Sequence, residues 1–425
     1  LGGPRRILVL GGLYPPHVMG GYELICGNHV GWLRRHGHEV TVLATTYGVP
    51  GPTEERGEHG ERVVRALRFQ WRDFRFERLG GGELLREERR QRRVLERLIA
   101  ETRPEVAVVW HMAAVSKSLL GVLHRQGVPM AAVVEEQWPV WDMEPDPWLR
   151  LWRHPARGWR RYAKGLLRRV ADRAVAPTQV DPAMRSILPV YCSDHLRRHV
   201  EDRLPAWQGR GCTVHNGIHL EWFPDAGDPE RPLHQPLRLL YVGRVERRKG
   251  VATAVEGLAL LRGEGVDCRL DIVGWADEAF ARELRAEVQR RGLGDRVGWH
   301  DPVPAERIAA VYAEHDVLLF PTIWEEPFGL VPLEAMAAGC LVVATGTGGS
   351  GEFLADGETA LRFPPEDAAA LAARVAELVA APALRARLRR SGRRCAEEHS
   401  FERFAAGVDR AIADRLAAGG AAGVQ

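Results

Sequence analysis

Arg244 and Lys249 follow a short apolar run, Leu237–Val242, in the stretch GRVERRKG. A guanidinium offers planar, two-point contact to phosphate oxygens, and an ammonium offers a compact charge. Together at a strand end they could neutralise a diphosphate and stabilise it as a leaving group without a metal. Lysine is scarce: of 59 basic residues only Lys117, Lys164 and Lys249 are lysines, so a point charge at 249 stands out. Alone, the stretch reads equally well as a surface loop leading to a helix. A second segment, TIWEEPFGLVPLEAMAAG (322–339), places Glu326 in a loop and Glu334 eight residues later. Pro332 suits a first helical turn and Gly339 a helix stop. The amides of Phe328, Gly329, Leu330 and Val331 would then be open donors to an anion. One carboxylate could face a sugar ring and the other a ribose. Glu334 also reads as a first-turn acid favoured by the helix dipole.

The elements that must position these groups recur as strand, loop, helix and strand. Arg6–Leu10 reads as a strand, and Gly11 to Gly21 as a glycine-containing loop. Tyr22 to His36 reads as a helix ended by Gly37, and Glu39–Thr45 as the next strand. Such βαβ units force a parallel sheet. The pattern continues through helix 84–100, strand 106–110, helix 116–125 and strand 129–134. A basic helix to Val170, a strand at 173–176 and a last strand near 212–215 follow. Residues 224–236 hold four prolines and read as a linker. A second βα series then runs from Leu237. The expectation is two tandem doubly wound α/β domains facing across a cleft, with ligands beyond the carboxyl ends of the strands. The boundaries read as 1–223, linker 224–236, 237–397, and a final helix 398–425 returning to the first domain.

Gly11-Gly12 and Gly20-Gly21 do not make a nicotinamide fingerprint. LYPPHVM separates them, and the second strand ends Leu43-Ala44-Thr45 without an acid for the ribose. Gly20 and Gly21 still precede a helix, where backbone amides can approach a phosphate or a hydroxyl. His111, after the Val106–Trp110 run, reads by itself as a core histidine.

At 425 residues, 45% hydrophobic and 27% charged, the chain suits two globular domains rather than disorder. The opening LGGPRRILVL is too short an apolar run for a secretory signal, and no stretch is long enough to span a bilayer. Six dispersed cysteines with no CxxC pair argue against a zinc or disulfide framework and point to the cytoplasm. Residues 1–217 hold 34 basic and 24 acidic residues, a net +10, and the remainder 25 and 32, a net −7. The basic half is expected to meet an anionic acceptor or the inner membrane face, or simply the acidic half.

YPPHVMGGYE near the start, PEVAVVWH (104–111), NGI (216–218), GRVERRKG, EPFGLVPLE (326–334) and DGETALRFPPED (356–367) together resemble the family 4 retaining glycosyltransferases. The resemblance implies the GT-B fold, with two Rossmann-like domains, and metal-independent transfer from a nucleotide-diphosphate sugar, UDP-linked most often, to a hydroxyl acceptor. It implies no cofactor beyond that co-substrate, and no DxD-type metal motif is present. Arg244 and Lys249 match the diphosphate-binding pair, Glu334 the ribose contact, and Glu326 the acid near the donor hexose. The amides of 328–331 match those holding sugar and phosphate, Gly20 and Gly21 the loop that closes on the donor, and His111 the histidine near the reacting sugar. Tyr22, Glu23, Trp138 and Trp141 are candidate acceptor contacts. The sequence departs from the family at His219, where Asp is frequent, and at Gly351 in GGSGE, where Pro is frequent. The segment 135–169 is rich in Trp and Arg, and suits either packing on the first domain or contact with an anionic membrane. A nucleotide-sugar epimerase of the same fold and a non-catalytic nucleotide-sugar binding protein are the competing readings. The acceptor stays open among a lipid-linked sugar, a natural-product aglycone and a small metabolite, and no nucleic-acid partner is expected.

Overall fold

Strand Arg6–Leu10 (β1) is buried from Ile7 onward, as a strand covered on both faces must be. The structure, a computed structural model, describes residues 3–72, 75–77, 79–141, 143, 145–153, 180–224 and 226–422. The expected basic helix to Val170 and the strand at 173–176 lie outside these residues. The chain divides into two units. Unit 1 is Leu1–Cys192, Leu196–Val214 and Ala405–Gln425, and unit 2 is Ser193–His195 and His215–Phe404.

In unit 1, helix α1 (Gly21–Arg35) follows β1 and leads to β2 (Glu39–Thr45). Then come β3 (Thr53–Arg56), β4 (Arg62–Leu67), and a two-stranded piece, β5 (Trp71–Arg72) with β6 (Arg75–Phe76). Helix α2 (Gly81–Thr102) precedes β7 (Val106–Val109), and α3 (Ser118–Arg125) precedes β8 (Met130–Val134). After β9 (Ile187–Tyr191) and β10 (Cys212–Thr213) the sheet order is β10-β9-β8-β7-β1-β2-β4-β3. Among the described residues every pairing in it is parallel except β3 with β4. The β3–β4 hairpin and β9 escape the sequence reading. In β9, ILPVY, Pro189 argues against a central strand. It is tolerated because β10 pairs only with Val190 and Tyr191, so at Pro189 the sheet has one neighbour, β8. Asp409, buried on the last helix, accepts a hydrogen bond from Arg5 Nη1 at 2.6 Å, next to β1.

Unit 2 has a six-stranded, all-parallel sheet. Its members are β11 (Leu237–Val242), β12 (Cys268–Val273), β13 (Val297–His300), β14 (Val317–Phe320), β15 (Leu341–Ala344) and β16 (Leu361–Arg362). The order β13-β12-β11-β14-β15-β16 reverses between β11 and β14, the two strands that carry the candidate donor loops. Leu239, Val255, Leu258, Leu270, Leu319 and Val343 are among the buried residues of its core. No described helix is long and apolar enough to cross a membrane, and all six cysteines are free.

Candidate functional site

In unit 2 the loops after β11 and β14 are laced together by backbone. The Tyr241 hydroxyl donates to the Arg244 carbonyl at 2.7 Å, which turns the chain and leaves the Arg244 side chain half exposed. A short 3₁₀ turn, Arg247–Lys249, ends at Gly250 with φ +68°. A Cβ there would lie 1.8 Å from the Pro321 carbonyl oxygen, so only glycine lets the two loops approach. The Arg248 carbonyl accepts the amides of Ile323 (3.0 Å) and Trp324 (3.1 Å). The result is an ion pair between Lys249 Nζ and Glu326 Oε1, to which Thr322 Oγ1 also donates at 3.1 Å. Glu326 is 7% exposed, so its charge rests on these two partners rather than on water.

The Glu326 loop is braced from behind by the GGSGE turn. The Gly349 amide donates to the Glu326 carbonyl at 2.6 Å, and Ser193 Oγ donates to the Pro327 carbonyl at 2.6 Å. A Cβ on Gly349 would meet the Pro327 oxygen at 2.0 Å, and one on Gly351 the Gly346 oxygen at 2.7 Å. Gly351, the departure from the family pattern, is therefore demanded by the turn. His219, the other departure, stacks between Trp222 and Phe401, with ring centroids at 4.4 and 4.3 Å. The Phe328 ring is buried against His215, Phe353 and His399, leaving its backbone as the part a ligand can meet. Gly329 has φ +91°, Leu330 is the cap of the helix Val331–Ala337, and Pro332 stands in its first turn. Glu334 Oε2 accepts the Tyr312 hydroxyl at 2.7 Å. Burial lifts Glu334 above the usual carboxylate range, against the pull of that bond.

Unit 1 holds a second charged cluster. His111 Nε2 meets Glu136 Oε1 at 2.6 Å, and Nδ1 stands 3.6 Å from Glu23 Oε1. Burial alone would lower this imidazole, but the charge and hydrogen bond of Glu136, joined by Glu23, push it up to about 9. His111 is therefore an imidazolium at neutral pH. Glu23 is buried, and its Oε2 accepts the amide of Gly20 at 2.9 Å, the capping contact of α1. Burial works to raise Glu23, yet His111 and the amides outweigh it and hold the carboxyl below its ordinary range. Tyr22 packs against His111 with rings tilted at 41° and centroids at 4.9 Å, and its hydroxyl donates to the Val133 carbonyl at 2.5 Å. A Cβ on Gly20 or Gly21 would meet nothing within 4 Å, so the space beside both glycines is open.

The acceptor candidates need correction. Trp138 is fully buried, with its ring edge-on to Trp207 at 6.2 Å, and has no face for a sugar; Trp141 is 48% exposed. Glu23 and the Tyr22 hydroxyl are committed to the protein itself. Trp148 and Trp152 pack with Leu79, Leu84 and Leu85 around the start of α2, so in that part of the aromatic segment the indoles serve packing. Sequence reasoning missed Glu136, Thr322 and Tyr312. Glu135-Glu136 directly after β8, an acid pair at a strand's carboxyl end, was the available signal for Glu136.

Residues 228–395 match the family described as Glycosyl transferases group 1. The chain is 35% identical over 170 residues to a D-inositol 3-phosphate glycosyltransferase of Arthrobacter sp. (strain FB24), covering 40% of each. It is 32% identical over 204 residues to a glycogen synthase of Mycobacterium tuberculosis (strain ATCC 25618 / H37Rv), covering 48% of each. The chain thus spans about half the length, or less, of these relatives. Among solved structures, sucrose-phosphate synthase (tll1590) from Thermosynechococcus elongatus superposes with a TM-score of 0.69 at 21% identity, over 98% of this chain and 100% of that one. Anabaena Alr3699/HepE in complex with UDP gives 0.66 at 15% identity, over 96% and 100%. The chain thus has the GT-B fold of these solved structures, with two largely parallel sheets, and the match to the glycosyl transferases group 1 family falls on the part of unit 2 that carries the braced Arg244–Lys249–Glu326 loops.

Proposed function

We propose that the protein transfers a sugar from a nucleotide-diphosphate donor to a hydroxyl acceptor, with retention at the anomeric carbon and without a metal. The Lys249–Glu326 pair, held at the topological switch point of unit 2, carries this reading. An ammonium has three donors, and only one is spent on Glu326, so Lys249 can join Arg244 on a diphosphate. Both bonds to Glu326 go to Oε1, which leaves Oε2 for a hydroxyl of the donor sugar. Glu334, on the next helix, suits the ribose, and the amides of 328–331 suit sugar and phosphate. In the reaction the bond from the anomeric carbon to the diphosphate oxygen breaks as the acceptor oxygen bonds to that carbon. The acceptor proton passes to the departing diphosphate, whose charge Arg244 and Lys249 stabilise. Of the unit 1 residues, His111 spends Nε2 on Glu136 and can donate to a sugar hydroxyl only through Nδ1, in exchange for its 3.6 Å contact with Glu23, and the half-exposed Trp141 is the aromatic candidate for the acceptor. A uridine donor is favoured, in keeping with the complexes of Anabaena Alr3699/HepE with UDP and with UDP-glucose.

Calorimetric titration with UDP, GDP and ADP, with Lys249→Ala beside the wild type, tests this. Saturable binding of UDP, abolished in the variant, is the expected result. A folded variant that binds as tightly as the wild type, or a wild type that binds none of the three, removes the donor assignment.

A further inference from the structure

Helix α2 carries Arg86, Arg89, Arg90, Arg93 and Arg97 along one face. Successive residues turn by about 100°, so these five fall within a stripe about a quarter of the circumference wide and about 16 Å long. Among the described residues they line, with Val94, a shallow depression of about 450 Å³. Arg90 is paired with Glu87 at 2.5 Å, and Arg97 stands 3.6 Å from Glu101. Arg86, Arg89 and Arg93 are exposed and meet no carboxylate within 4 Å among the described residues. The opposite face of the helix is fixed in the unit by Leu84, Leu95, Leu98 and the buried Glu88, which accepts the Ser118 hydroxyl.

This arrangement works against the helix. The pairs 86/90, 89/93 and 93/97 are like charges one turn apart, each costing about 0.2–0.5 kcal/mol in an isolated helix. Glu87 and Glu101 offset Arg90 and Arg97, but Arg86, Arg89 and Arg93 have no described acid paired with them as Glu96 is with Arg92. A single anion cannot engage five guanidinium groups spread over this length, whereas neighbouring phosphates can, each taking a planar fork. Beside the arginines lie Glu87 and Val94, with no aromatic ring on which a base could stack, which disfavours single-stranded nucleic acid.

We propose that the arginine face of α2 is a binding site for a ligand with several closely spaced phosphate groups, either a soluble oligophosphate or clustered phospholipid headgroups. It belongs to unit 1 and does not rest on the transfer reaction.

The test uses the full chain, inorganic triphosphate, and vesicles of phosphatidylglycerol in phosphatidylcholine against phosphatidylcholine alone. The variant Arg86→Gln/Arg89→Gln/Arg93→Gln is compared with Arg35→Gln/Arg282→Gln/Arg394→Gln, which removes the same charge elsewhere on the surface. Saturable binding that weakens about tenfold or more in the first variant, and less than about twofold in the second, supports the site. Triphosphate binding without vesicle binding identifies a soluble ligand, and the reverse identifies a lipid surface. Equal loss in both variants, unchanged binding in the first, or no binding of either probe by the wild type at about millimolar phosphate overturns it. Because the three side chains are exposed, the first variant is expected to keep the wild-type thermal midpoint, which separates loss of binding from loss of fold.

Discussion

The two units each hold a cation against a carboxylate, and they do it by different means. In unit 2 Lys249 and Glu326 sit on loops whose backbones are locked by Gly250 against Pro321 and by Gly349 against Pro327. The side chains inherit their positions from the sheet ends, so a local motif suffices. In unit 1 His111 is held by Glu23, from the start of α1, and by Glu136, from the loop after β8. Only the order of strands brings those three together. Rigid backbone fixes the first pair, whereas the charge balance fixes the second. The first should therefore fail through geometry and the second through titration.

Lys249→Ala gives the largest expected effect, a fall of about a thousandfold in donor turnover with the thermal midpoint nearly unchanged. A variant within a few-fold of wild type would make the pair structural. Trp138→Ala should cost about 3 kcal/mol of stability in denaturant unfolding, as a buried aromatic, while Trp141→Ala leaves stability alone and raises KM for the acceptor. The opposite pattern would return Trp138 to the acceptor site. Gly250→Ala should cost about 1–3 kcal/mol and loosen diphosphate binding, because the left-handed backbone and the Pro321 carbonyl both oppose a side chain. A neutral outcome would show that the loops are less tightly laced than Lys249–Glu326 requires.

The smallest effect tests unit 1. His111 should titrate near 9 by NMR, and Glu136→Gln should bring it down by about one unit or more. Its folded value lies above the ordinary 6.5. The stability it contributes is thus complete below pH 6.5 and is lost as pH rises through about 9. Glu23, held below its ordinary 4.5, contributes above that value and loses its contribution as pH falls through its depressed one. The cluster is therefore most stabilising between about pH 4.5 and 6.5. A wild-type His111 titrating near 6.5 would undo the assignment of a charged imidazole.

The βα rhythm, the Arg244–Lys249 pair, the Glu326 and Glu334 spacing and the likeness to family 4 were legible in the sequence because each lies within a few residues of a strand or helix end. Local periodicity and local motif are enough for groups so placed. Strand β9 was not legible, since Pro189 is allowed only by the shortness of its neighbour β10. Nor could composition separate Trp138 from Trp141, three residues apart, one sealed against Trp207 and the other half exposed. The partnership of His111 with Glu23 and Glu136, and with it the sign of its charge, was decided by tertiary structure alone. A pKa depends on what stands within a few ångströms, and those neighbours come from chain segments that only the folded sheet makes adjacent.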